Sequence, residues 1–255
     1  MKNIRLTLEY DGTDYSGWQV QKNAITIQGL IQKALSKITN ESSVVVGASR
    51  TDAGVHALEQ VASFKTDSHL APQSIKKALN ALLPADIRVV DACEVPDTFN
   101  PRFAAQKKVY SYFIAVSEKP PFLLRRYVWN INHLPHLESM TKAADMLIGQ
   151  HDFSSFRASG CTAPNTIKTL SNITVSLVPR LENMTLQCRI PLIKITVEGM
   201  SFLRYMVRNI VGTLVETGQG RLSPDDMRDI LEQRDRRSAG PTAPASGLFL
   251  EKIFF

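Results

Sequence analysis

The sequence predicts an α+β protein made of two ferredoxin-like split β-α-β modules with mainly antiparallel sheets. Three observations carry that prediction. Runs with period-two apolar spacing alternate with stripes of 3.6-residue spacing. Over residues 1–104 they fall in the order β-α-β-β-α-β, and the same order recurs over residues 105–255. No Gly/Ser linker or low-complexity stretch parts the halves, so the join near 97–106 reads as a tight connection.

Each element has its own signal. In residues 3–10, Ile4, Leu6, Leu8 and Tyr10 share one face, the pattern of a half-buried strand ending at Asp11-Gly12. Ile27, Leu30, Ile31, Leu35 and Ile38 have helical spacing behind Thr26, a good N-cap. Strands are expected at 43–48 (Val44, Val45, Val46) and 60–66. A helix opening at Pro72 carries Ile75, Leu79 and Leu82, and a strand follows over 86–95. The second half reads as a strand over 107–116, a helix from Pro135 to a stop at Gly149, and strands over 166–178 and 184–198. Next comes a helix with Leu203, Met206, Val207, Ile210, Val211 and Leu214 on one stripe. Ser223-Pro224-Asp225-Asp226 starts a further helix with a side-chain cap and early acids, and LFLEKIFF closes the second module as a strand. Arg234, Arg236 and Arg237 with 238–244 read as the least structured segment.

Hydrophobic residues make up 44% and charged residues 21%, so a packed core is expected rather than disorder. Thirty Lys+Arg against 24 Asp+Glu leave a net +6, which favours a polyanionic partner. No segment has signal-peptide character or the apolar length of a membrane span, pointing to the cytoplasm. Cys93, Cys161 and Cys188 are widely spaced and fit reduced thiols in or near the core. The five histidines lack a metal-ligand pattern.

The informative stretch is GASRTDAGVHALEQVASF at 47–64, where a strand ends in a loop that gathers Arg50, Asp52 and His56. By spacing alone Asp52 can be a nucleophile, a base, a metal ligand or a turn former. RTDAGVHA at 50–57 resembles the signature of the tRNA pseudouridine synthase A family. EYDGTDYSGWQVQ at 9–21, NPRFAAQKKVYSY at 100–112, DFSSFRASG at 152–160 and MVRNIVGTLVETG at 206–218 are similar to further blocks of that family, in family order. Ser49 stands where the family commonly has glycine, and serine restricts the backbone more.

The resemblance implies a pseudouridine synthase fold with a central RNA-binding cleft and an isomerase that needs neither metal nor organic cofactor. Its catalytic residues would be Asp52 as nucleophile, Tyr110 as the tyrosine stacking on the target base, and Arg208. Arg50, His56, Lys107, Lys108 and Arg204 join Tyr110 as candidate substrate-binding residues. The implied partners are the anticodon arm of tRNA, with uridines 38, 39 and 40 as targets, and a second copy in a homodimer; DNA and membrane are not expected. The chemistry suits these residue types. The bond from ribose to a base nitrogen breaks, the base turns, and the ribose joins a base carbon without redox change. A carboxylate serves as nucleophile, stabiliser or base. Burial alone would raise its pKa, and a guanidinium from Arg208 or Arg50 opposes that shift.

Other residues have bland readings beside functional ones. Tyr110 shares its strand face with Tyr112, where core packing is the default. Arg204 and Arg208 lie four apart on one helical face, by default solvated. Tyr15 and Trp18 look exposed and open to RNA. Arg125, Arg126 and Arg157 join the candidate phosphate track. The rivals are an RRM-type binding module, which would show aromatic RNP motifs absent here, and a hydrolase pairing Asp52 with Glu59.

Overall fold

Strand β1 (Lys2–Tyr10) forms where the alternating run predicts it, with Ile4, Leu6, Leu8 and Tyr10 all buried. This computed structural model describes residues 1–119, 122–161, 163–178 and 190–255. Helix α1 (Ile27–Thr39) follows, capped as expected by the Thr26 hydroxyl, which accepts the Gly29 amide at 3.3 Å. Then come β2 (Val46–Gly47), β3 (His56–Thr66), α2 (Pro72–Leu82), β4 (Ile87–Val95), the one-turn α3 (Pro101–Ala104) and β5 (Lys107–Val116). The rest of the chain supplies β6 (Trp129–Ile131), α4 (Leu137–Asp145), β7 (Gly149–Asp152), β8 (Ile167–Val178), β9 (Leu192–Gly199), α5 (Met206–Gly218), α6 (Asp226–Gln233) and β10 (Leu248–Phe254). The class is α+β, and strand pairing is mixed but mostly antiparallel.

Two units divide the chain: Met1–Lys108 with Phe249–Phe255, and Val109–Leu248. In the first, β1 sits between β4 and β3, antiparallel to both. The free edge of β3 is shared: Val46 and Gly47 of β2 lie opposite Ser63 and Ala62, while Phe249 and Leu250 of β10 run parallel beside His56 and Ala57. The closing strand, expected in the second module, thus gives residues 249–255 to the first unit. β2 is shorter than the expected 43–48 strand because side chains take its carbonyls. Gln28 donates to Val45 O and Gln32 to Ser43 O, and Val44 is left 71% exposed. Ile75 and Leu79 of α2 are buried as expected, but Leu82 ends the helix 49% exposed and Leu83 turns inward instead.

The second unit has the strand order β5-β9-β8-β7, with the short β6 parallel to β5. α4 starts at Leu137 rather than Pro135, since the His136 ring caps it by accepting the Ser139 amide. Ser223 and Asp226 exchange side-chain-to-amide hydrogen bonds ahead of α6, a capping box. α5 begins three residues later than its apolar stripe suggests. Tyr205 has φ of +64°, a left-handed backbone that no α-helix can continue through, so Leu203 and Arg204 precede the helix. Residues 236–242, expected to be loosely structured, are tied to α5. Buried Asn209 accepts from Arg236 at 3.1 Å and from Thr242 at 2.6 Å, and Thr213 accepts the Gly240 amide at 3.0 Å. Cys93 and Cys161 are free thiols and half-buried, while Cys188 and the 184–189 part of the expected strand lie outside the described residues.

Candidate active site

Asp52 opens a tight turn. Its carbonyl accepts the Val55 amide at 3.1 Å, and Gly54 supplies the positive φ of +77° that the third turn position of a type II turn requires. The bland turn reading of Asp-Ala-Gly therefore holds for the backbone, while the Asp52 side chain remains half-buried. Buried groups grip the chain just before it. The Ser49 amide donates to Gln60 Oε1 at 3.3 Å, Gln60 Nε2 donates to Ser49 O at 2.8 Å, and Tyr10 and Thr51 share a hydroxyl hydrogen bond of 2.8 Å. The Trp18 amide donates to Thr51 O at 3.0 Å. Gly17, at φ of +87°, lets that loop close on the turn: a Cβ there would lie 2.7 Å from Thr51 O. Ser49 is not among the positive-φ residues, so its backbone does not need the family's glycine.

Several candidates turn out to face inward. Trp18 is 1% exposed and stacks on Tyr10, and Tyr15 is buried with its hydroxyl donating to Asp86 at 2.5 Å, so both belong to the core rather than to an RNA surface. Burial and the Asp86 carboxylate raise the Tyr15 pKa. His56 is 1% exposed and stacks on Phe249. Its Nδ1 lies 3.1 Å from both the Gly12 amide and Asp11 Oδ1; unprotonated it accepts from the amide, protonated it donates to the carboxylate. It braces the loop from within instead of reaching RNA. Lys108 is likewise turned inward: 9% exposed, its Nζ donates to Ala48 O at 2.7 Å. Burial, with help from Arg102, lowers its pKa to about 8. A phosphate role does not fit that placement. Neighbouring Lys107 instead sits over the Phe254 ring at 4.5 Å, and Arg50 is exposed.

In the second unit Tyr110 is buried edge-on to Phe202, with ring centroids 5.0 Å apart, and Tyr112 donates to Pro244 O at 2.7 Å. Burial pushes the Tyr112 hydroxyl pKa up. Arg204 and Arg208 do not share a helix face, yet both guanidinium groups lie over the Tyr205 ring, at 4.9 and 4.8 Å. Arg208 is also tied to the segment after α6: its Nε donates to Ala243 O at 2.7 Å, and the Ala243 amide returns a bond to Arg208 O at 3.1 Å. Arg204 is exposed. Of the wider phosphate candidates, Arg125 is exposed and donates to Phe122 O at 2.7 Å.

Gln60, Thr51, Phe202 and Tyr205 escaped the sequence reading. A lone glutamine in the apolar strand run EQVASF, and aromatics interleaved with arginines in FLRYMVR, were the available signals. Among the described residues no group of three or more His, Cys, Asp or Glu could hold a metal ion, and no helix is long and apolar enough to cross a membrane.

The chain is similar to known proteins along its whole length. A family profile described as tRNA pseudouridine synthase matches residues 7–104 and 143–255. Proteins named tRNA pseudouridine synthase A from Thermoanaerobacter sp. (strain X514) and Clostridium kluyveri are each 45% identical over 255 residues, covering all of both chains. The one from Thermosipho melanesiensis is 46% identical over 256 residues with the same coverage.

Proposed function

Because this chain belongs to the tRNA pseudouridine synthase family, a family of isomerases, we propose that Asp52 is its nucleophile and that uridines 38, 39 and 40 of the anticodon stem and loop are its targets. The observation that supports Asp52 is its setting: a half-buried carboxylate on a turn whose preceding residues are held by hydrogen bonds from the buried Gln60 and Tyr10 side chains. In the reaction the ribose C1′–N1 bond breaks, the C1′–C5 bond forms, the C5 hydrogen leaves as a proton, and N1 ends protonated. Asp52 attacks or stabilises the electrophilic centre. Tyr110 receives the turned-out base, and a tyrosine already edge-on to Phe202 offers an apolar wall for it.

Arg208 supplies positive charge to the site; its guanidinium is fixed by Tyr205 and by Ala243 O and therefore needs little reorganisation. Arg50, Lys107 and Arg204 track phosphates. The working form is a homodimer whose clefts hold the anticodon arm, and the compartment is the cytoplasm, where tRNA is modified. Asp52→Asn tests the core of this reading. Tritium release from C5-labelled uridine in tRNA is expected to fall below about one-thousandth of the parent rate, while tRNA affinity and melting temperature stay at parent values. Appreciable pseudouridine formation by this variant overturns the assignment. Mapping pseudouridine in cellular tRNA with and without the gene checks the three positions.

A further inference from the structure

The rung of the sheet next to the Asp52 turn is made by a side chain. β2 pairs with β3 through Val46 and Gly47, and the Ala48 amide adds a last backbone bond to Val61 O at 2.8 Å. At Ser49 the chain leaves the strand, and the carboxamide of Gln60 takes the place of the missing peptide. Its Oε1 accepts the Ser49 amide at 3.3 Å and its Nε2 donates to Ser49 O at 2.8 Å. Among side chains of this length an amide offers both a good donor and a good acceptor; ionised glutamate lacks the donor, and methionine offers only a weakly accepting sulfur. Nε2 also lies 3.4 Å from the Tyr10 hydroxyl, which bonds the Thr51 hydroxyl at 2.8 Å. Gln60 is wholly buried, and Tyr10 and Thr51 nearly so. Thr51 immediately precedes Asp52, so a buried chain of three side chains ends one residue from the carboxylate.

Every member of this chain is uncharged. It can therefore fix the direction of the turn without itself adding a charge beside the carboxylate. Buried polar networks of this kind hold one geometry when fully satisfied. We infer that Gln60, acting through Tyr10 and Thr51, is a positioning residue that sets the aim of the Asp52 carboxylate in pseudouridine formation. The inference rests on the reading of Asp52 as nucleophile.

The test compares Thr51→Val, Thr51→Ser, Tyr10→Phe and Gln60→Glu with Asp52→Asn, each assayed for single-turnover pseudouridine formation at saturating tRNA, tRNA affinity and melting temperature. Thr51→Val keeps the shape and loses the hydroxyl, and its single-turnover rate is expected to fall by about a hundredfold, the usual cost of misplacing a reacting group by about 1 Å. Affinity should not change, and the melting temperature should fall only by the few degrees that one lost buried hydrogen bond costs. Thr51→Ser, which restores the hydroxyl, is expected to return close to the parent rate, and Tyr10→Phe to fall beside Thr51→Val. Gln60→Glu should fall furthest. Thr51→Val and Tyr10→Phe enzymes at the parent rate overturn the inference. So does a loss shared equally by affinity or melting temperature, which marks a merely structural role. An inactive Asp52→Asn beside a fully active Thr51→Val sinks the clamp alone, whereas an active Asp52→Asn sinks the nucleophile assignment whatever the clamp variants do.

Discussion

The loop before Asp52 and the turn before Arg208 each bring a charged side chain to the edge of regular structure, but by opposite means. The groups that hold residues 49–51, just before Asp52, are neutral: the Gln60 carboxamide, the Tyr10 and Thr51 hydroxyls and the Trp18 amide, while the Lys108 ammonium holds Ala48 one residue earlier. Around Arg208 they are an aromatic face and a carbonyl, at the price of a left-handed tyrosine at position 205, which costs about 1–3 kcal/mol. The carboxylate is aimed through a network of uncharged side chains, whereas the guanidinium, always charged, is seated by direct contacts of its own.

The largest effect separates the two arginines over Tyr205. Arg208→Ala is expected to lower the single-turnover rate by about 10²–10³-fold with an unchanged salt dependence of tRNA binding. Arg204→Ala should leave chemistry intact while weakening binding and flattening the log–log salt slope by about one unit or less. Arg208→Lys keeps the charge but removes the Nε donor to Ala243 O, so partial recovery would assign the loss to charge. Equal salt slopes and intact chemistry in both alanine variants would place Arg208 in the phosphate track and break the comparison.

Next in size is Asn209→Ala. Asn209 is wholly buried, accepts from Arg236 and Thr242, and donates to Phe156 O at 2.8 Å. Orphaning these partners should cost about 3 kcal/mol in urea unfolding and raise amide exchange across 236–243. Unchanged exchange there would show that the segment is held to α5 without Asn209, through Arg208 and Thr213.

A smaller effect concerns Lys108 and depends on pH. The unfolded chain keeps a lysine proton to about pH 10.4, whereas buried Lys108 releases it near 8. Between those values the unfolded state binds more protons, so this group makes stability rise with pH; below about 8 both states are protonated and the slope vanishes. Relative to Lys108→Met, the parent should gain about 2 kcal/mol of unfolding free energy from pH 8 to pH 10. The raised pKa values of Tyr15 and Tyr112 are common to both proteins and cancel. A constant difference would mean that Lys108 is not buried in solution.

Ser49→Gly should be the mildest. Since Ser49 does not occupy a positive φ, the change only frees the unfolded chain, costing about 0.5–1 kcal/mol with no loss of rate. A faster enzyme would show that serine strains the Asp52 loop after all.

Periodicity and capping determined much of this protein before any contact was known. The alternation in β1, the Thr26 cap of α1, Pro72 at the head of α2 and the Ser223–Asp226 box are local signals, because each depends only on residues within one or two turns of chain. The ordered motifs likewise identified the family and nominated Asp52, Tyr110 and Arg208. Which polar side chains turn inward was decided only by the tertiary structure. Lys107 and Lys108 are adjacent and chemically identical, yet one covers the Phe254 ring and the other donates to Ala48 O. Gln60 meets Ser49 because β2 pairs with β3 just beyond it. Trp18 is buried where two glycine-containing loops close on each other, and Arg204 leaves its helix because one tyrosine adopts a left-handed backbone. Burial of a polar group is stable only when a distant partner satisfies it, and a partner far along the chain leaves no mark on the local pattern of residues.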